Sequence, residues 1–177
     1  MFKILLGGAV LALLAVQPAL SDTLSKPTGA VILEVSGKIA NTNDGATADF
    51  DMAMLSELEG GTTATSSPWY DGVKTFSGPL GKALLKAVGA TGTTLRVTAL
   101  NDYVTEIPVS DFNDFAVVLA TEIDGKPMSV RDKGPIFIAY PFDSQPALNN
   151  AAGGRNLLSF YSDGPFLYCG VAKLNAV

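Results

Sequence analysis

Apolar and polar positions follow several different rhythms along this chain, and each rhythm predicts an element. Residues 30–36 (AVILEVS) form a β-branched-rich run between Gly29 and Gly37 and predict a strand. Residues 38–48 are polar and rich in Asn, Asp and Gly, which predicts a loop. Asp51 is placed to cap a short helix in which Met54, Leu55 and Leu58 share a face, with Gly60-Gly61 as its stop. A second helix has Ser77 as its cap and Pro79 in its first turn. Leu80, Leu84, Leu85 and Val88 follow at helical spacing, and Gly89 ends it.

The rhythm then shortens. Residues 93–100, the pair Asn101-Asp102 and residues 103–107 have the grammar of a two-residue hairpin. Asp111 starts another helical turn. Residues 115–123 predict a strand that runs into Asp124-Gly125, a second hairpin signal. Gly134-Pro135 precedes an apolar strand over residues 136–140 that stops at Pro141. Short strands and short helices alternate without a regular βαβ period, so the expected class is α+β.

The first 21 residues have the pattern of a secretory signal peptide: Lys3 as the basic region, an apolar run over residues 4–16, and small residues at Ala19 and Ser21 before Asp22. An uncleaved anchor is the alternative. With cleavage, residues 22–177 form one domain in the periplasm, not membrane-spanning and long enough for its own core.

Composition narrows the chemistry. The chain has no histidine, one cysteine, and 12 Lys+Arg against 17 Asp+Glu. Without histidine there is no Ser-His-Asp or Cys-His catalysis and no zinc site of the usual kinds. A lone Cys169 cannot form an internal disulfide, and a buried free thiol is its ordinary role. An acidic balance with only Arg96, Arg131 and Arg155 as arginines argues against a nucleic-acid surface.

The order of signals from Trp69 to Asp143 is distinctive. It runs Trp69-Tyr70-Asp71-Gly72, Phe76-Ser77-Gly78-Pro79-Leu80, Asn101-Asp102-Tyr103, Ile107-Pro108, Asp124-Gly125-Lys126-Pro127-Met128, Arg131, Gly134-Pro135 and Tyr140-Pro141-Phe142-Asp143. This series resembles the molybdopterin-binding domain of the sulfite-oxidase type, in particular its small exported branch of oxidoreductase molybdopterin-binding proteins. The resemblance implies a mixed, mostly antiparallel β core with short flanking helices, and a pocket for a pterin. It also implies, as one reading, a molybdopterin-dependent oxidoreductase of the sulfite-oxidase class or a subunit of one.

Enzymes of that type hold molybdenum through a cysteine thiolate upstream of the helix that here contains Leu84 and Leu85. The corresponding residues 62–68 are Thr-Thr-Ala-Thr-Ser-Ser-Pro, and hydroxyls do not replace a thiolate for this metal. The arginine two residues after the enzymes' late proline is matched here by Phe137. In lacking that cysteine the chain resembles the PruR-type periplasmic pterin-binding proteins. That resemblance implies a reduced monomeric pterin as ligand rather than molybdopterin, no metal and no catalytic residues. It further implies a sensor or regulatory role toward the periplasmic domain of an inner-membrane cyclic-di-GMP signalling enzyme. A degenerate domain serving only as a protein–protein module is the third reading.

A pterin presents a flat ring and an edge where an amino group and a ring N–H lie side by side. The matching kit is an aromatic face and a carboxylate, with hydroxyl, backbone or Arg groups for the rest of the edge. Trp69 and Tyr70 are the candidate stacking residues, with core packing as the alternative for Trp69. Asp102 is the candidate carboxylate, with a purely local turn role as its alternative, and Tyr103 is the next candidate for lining. Ser66 and Ser67 stand where the thiolate is missing. Arg131 is either a ligand contact or half of a structural ion pair with Asp102 or Asp132, and Tyr140 is either lining or core. Residues 68–72 are the expected closing loop, through which ligand would shift the population that binds a partner. Residues 160–177 carry no motif of this kind.

Overall fold

The structure, a computed structural model, describes residues 24–67, 69–145, 148 and 171–177. The expected signal peptide, Arg155 and Cys169 lie outside the described residues.

Among the described residues the architecture is α+β, with three short helices and sheets that are mostly antiparallel. The first sheet contains β1 (Leu33–Gly37), β2 (Ala48–Phe50), β5 (Thr94–Ala99), β6 (Val104–Pro108) and β11 (Val171–Ala176), in the order β2-β1-β11-β5-β6. Its two faces separate by simple alternation. Leu33, Val35, Leu95, Val97, Leu174 and Ala176 are buried on one face. The other face carries cross-strand ion pairs, Lys173 to Glu34 at 3.3 Å and Arg96 to Glu106 at 3.1 Å, each between residues in direct register.

Two strands of this sheet lie outside the sequence pattern: β2, whose Ala48 falls in the expected loop over 38–48, and β11. β11 runs parallel to β1 and antiparallel to β5, so it joins the two halves of the sheet. Strand 30–36 begins three residues later than expected, as β1. The hairpin over 93–107 forms as β5 and β6, with the turn at residues 100–103 and Asp102 at φ 64°.

A four-stranded sheet has the order β3 (Gly60–Ser67), β4 (Tyr70–Pro79), β8 (Glu122–Ile123), β9 (Lys126–Pro127). Under it lies a buried two-stranded sheet of β7 (Val118–Ala120) and β10 (Phe137–Ala139), every residue of which is buried. β4 crosses β7 at close range: a Cβ on Gly78 would sit 2.2 Å from the Leu119 carbonyl oxygen, so only glycine fits there.

Three expectations are corrected here. Ser77 and Pro79 belong to β4 rather than to the start of the second helix, because Thr62↔Ser77 and Gly60↔Pro79 are paired in the β3–β4 ladder. Helix α2 (Gly81–Val88) therefore begins after Leu80, which has no side-chain cap, and ends as expected on Gly89 at φ 60°. The single strand expected over 115–123 is broken in two. Phe115 ends helix α3 (Val109–Asp114), and the chain leaves β7 at Thr121 to enter β8 in another sheet. Helix α1 (Met52–Glu57) is capped as expected: the Asp51 carboxylate accepts from Met54 N at 2.9 Å, and also from Thr28 N at 2.8 Å and Gly29 N at 2.7 Å. It ends earlier than expected, with Leu58 already extended, and Gly60-Gly61 open β3 instead of stopping the helix.

Candidate functional site

The β3–β4 hairpin brings four of the candidate residues to one place. Ser66 and Ser67 end β3, Trp69 forms the turn, and Tyr70 opens β4 opposite Ser67. Of residues 68–72, read from sequence as a loop, the described residues 69–72 are thus the tip of a long ribbon. The tip rests on Phe137 of β10. Its ring lies edge-on to Trp69 at 6.0 Å and to Tyr70 at 5.9 Å, and stacks on Phe76 at 5.2 Å. Both hairpin residues are half-buried.

The turn at residues 129–134 clasps the ribbon from one side. The Tyr70 hydroxyl donates to the Asp132 carbonyl at 2.8 Å, while Lys133 Nζ lies 4.4 Å from the Tyr70 ring centroid and donates to the Trp69 carbonyl at 3.3 Å. Burial, seconded by the Asp132 charge, pushes the Tyr70 hydroxyl up to about 12, so it remains a donor at any physiological pH. Asp143 closes the other side. Its carboxylate takes the Ser66 N–H at 2.7 Å and the Ser66 hydroxyl at 2.6 Å, one on each oxygen. Each oxygen keeps acceptor capacity beyond that. The Ser67 Oγ is buried and has no hydrogen-bond partner among the described residues.

Of the remaining candidates, Arg131 shares the clasping turn at residues 129–134, and the other three are elsewhere in the fold. Asp102 and Tyr103 occupy the β5–β6 turn in the five-stranded sheet, where Asp102 N donates to Ala99 O at 3.0 Å and Tyr103 N to Asn101 Oδ1 at 3.3 Å. Arg131 lies in the exposed 3₁₀ turn Val130–Asp132 and pairs with neither Asp102 nor Asp132. Tyr140 is buried. Its ring stacks on Phe142 at 5.6 Å and its hydroxyl lies 3.3 Å from the fully buried Asp111, which places it in the core.

Sequence reasoning missed Asp143 and Lys133 as site residues. Asp143 ends the Tyr140-Pro141-Phe142-Asp143 segment, so it was visible as a motif member, but only the fold brings it against Ser66. Phe137 was noticed for an absent arginine; its actual work is to support both hairpin rings.

Two clefts lie away from the hairpin tip. One, of about 520 Å³, is lined by Leu55 and Leu58, by Gly60, Thr62 and Ser77 on the sheet, and by Glu122. The other, of about 510 Å³, lies between α1 and α2. Among the described residues no group of three or more His, Cys, Asp or Glu is arranged to hold a metal ion, and no helix is long and apolar enough to cross a membrane. Compared with protein-family models and with curated proteins, the chain matches none.

Proposed function

We propose that this chain is a non-catalytic, exported pterin-binding protein built on a fold of the sulfite-oxidase-type molybdopterin-binding class. In this reading it acts in the periplasm as a sensor or regulatory subunit for an inner-membrane cyclic-di-GMP signalling enzyme. One observation carries the reading. The β3–β4 hairpin carries the half-buried rings of Trp69 and Tyr70 at its tip, and the Asp143 carboxylate is hydrogen-bonded to Ser66 near the end of β3. A flat heterocycle with a donor edge requires an aromatic face and a carboxylate acceptor, and this end of the hairpin supplies both residue types.

Ligand at this point would bear on the contacts that clasp the hairpin to the 129–134 turn, and a partner sensitive to that clasp would read occupancy. The test is mass spectrometry of small molecules released from protein purified natively from the periplasm, with fluorescence titration by a reduced pterin alongside. A pterin mass in the released fraction, and loss of uptake in Trp69→Ala with unchanged circular dichroism, are expected. Protein that neither carries nor takes up any pterin overturns the reading.

A further inference from the structure

β3 is an edge strand. β4 covers one side of it, and among the described residues no strand covers the other. The register shows which backbone groups are left over. Glu59 O accepts from Leu80 N, and the odd-numbered residues 61, 63 and 65 face β4 with it, so the N–H and C=O of Gly60, Thr62, Ala64 and Ser66 point away. Ser66 is closed off: its N–H goes to Asp143 and its carbonyl accepts from the Thr65 hydroxyl at 3.2 Å. Gly60, Thr62 and Ala64 are exposed, and their outward donors and acceptors have no partner.

Proteins ordinarily blunt such an edge with lysine, proline, a bulge or a short strand. β3 has eight residues, GGTTATSS, without a charge or a proline, and its one irregularity falls at Ser66/Ser67, past the open stretch. The cleft of about 520 Å³ opens on the same exposed face, at the Gly60–Thr62 end, with Glu122 on its wall. Glu122 forms no ion pair among the described residues. Glu59 stands at the start of the edge, held at 3.5 Å by Lys82, and Asp143 stands at its far end.

We infer that the β3 edge takes an extended, basic peptide segment of a partner protein by strand addition, with a Lys or Arg side chain of that segment reaching the Glu122 cleft. Main-chain hydrogen bonds to Gly60, Thr62 and Ala64 supply the affinity, and the cleft and flanking carboxylates supply the choice of partner. A second copy of this chain is disfavoured by the same charges. Antiparallel pairing of β3 with β3 lays the Glu59 end of each copy beside the Asp143 end of the other, and the exposed Lys82 that holds Glu59 offsets only part of that acidic pairing. The inference goes beyond the pterin reading; the two share only Asp143, and the backbone and Glu122 contacts tested below do not depend on it or on Trp69 and Tyr70.

The probe is a synthetic peptide of alternating threonine and valine with a lysine at each end, followed by fluorescence anisotropy on ligand-free protein. Its control has glutamate in place of each lysine. Binding by the basic peptide and loss of binding by the acidic one are expected, and in amide exchange the N–H groups of Thr62 and Ala64 should go from fast to protected. Ala64→Pro deletes an outward donor that β4 does not use, a place where an edge strand tolerates proline. It should weaken binding by roughly five- to tenfold, the effect of one net hydrogen bond. Glu122→Gln, which leaves the backbone untouched, should weaken it a few-fold and settles the matter should the proline variant misfold. Equal binding of the two peptides, or wild-type affinity in Glu122→Gln, overturns the inference. So does slow exchange of these amides in the free protein: with a dimer in sedimentation it assigns the edge to a second copy, and with a monomer to another segment of this chain.

Discussion

Phe137 is the point at which core stability and the candidate site meet, so its truncation is the most informative perturbation. Its ring is 3 % exposed. It stacks on Phe76 and supports the edges of Trp69 and Tyr70. Phe→Ala in a core costs about 3–5 kcal/mol, transfer and cavity together. The three ring contacts, each adding about 0.5–1.5 kcal/mol beyond area, place this site at the upper end, near 5 kcal/mol. The cavity cannot close by backbone shift, because Phe137 is paired with Ala120 inside the buried sheet. Since a domain has only about 5–15 kcal/mol in total, Phe137→Ala should be marginally folded. Phe137→Leu keeps most of the volume and should cost about 1–2 kcal/mol, mainly the lost ring contacts. Urea unfolding followed by far-ultraviolet circular dichroism measures the global change. Trp69, the single tryptophan, reports the hairpin tip by its emission. The Leu variant should show native circular dichroism with red-shifted tryptophan emission. A loss under about 1 kcal/mol in the Ala variant, or unchanged Trp69 emission in the Leu variant, refutes the placement of Phe137 beneath the hairpin.

Four further outcomes follow from the same geometry. Tyr70 should ionise late: its folded value is raised to about 12 from 10.0, so its stabilising contribution is intact below pH 10 and is lost as pH rises toward 12. A tyrosinate absorbance titration of Tyr70→Phe that retains the late step would contradict this. Asp51 is held below its ordinary 3.8, chiefly by the Met54 backbone N–H and then by that of Gly29, so its contribution is present above that value and disappears as pH falls through the folded one. Asp51→Asn should therefore flatten the acid limb of urea midpoint against pH, and an unchanged slope would count against the cap. Asp143→Asn should lower pterin affinity about tenfold while Asp102→Asn leaves it unchanged, as judged by fluorescence titration; the reverse pattern would move the site to the β5–β6 turn. Gly81→Ala puts a Cβ 2.4 Å from Phe112 Cδ2, with more of the same buried ring within 3 Å, and should cost about 1–3 kcal/mol in thermal or urea unfolding, whereas a neutral result would mean the ring yields freely.

What could be read in advance followed the strength of local signals. α2 was legible because Leu84, Leu85 and Val88 keep helical spacing and Gly89 can adopt the left-handed turn that ends it. The β5–β6 hairpin was legible because its turn needs a positive φ that Asp102 supplies. The β3–β4 ribbon was not. Its inward positions on β3 are Thr63 and Thr65, buried hydroxyl residues, so the alternation is there in burial and invisible in hydropathy. The same blindness misassigned Ser77 and Pro79 to a helix, although each residue type suits a helix start. At the site, Ser66, Ser67, Trp69 and Tyr70 were legible because they are adjacent in sequence. Asp143 and Lys133 reach them only through contacts 64 to 77 residues apart, which no local pattern encodes. Asp102 had the right chemistry in a turn of another sheet.

The position of β11 has a consequence for how the molecule comes into being. The strand that bridges β1 and β5 is the last of the described strands to be synthesised, and its partners lie some 139 residues upstream in the case of Glu34 and Lys173. A growing polypeptide therefore cannot zip the five-stranded sheet until translation has passed residue 176, and up to that moment it offers two unfinished halves to whatever chaperone is waiting.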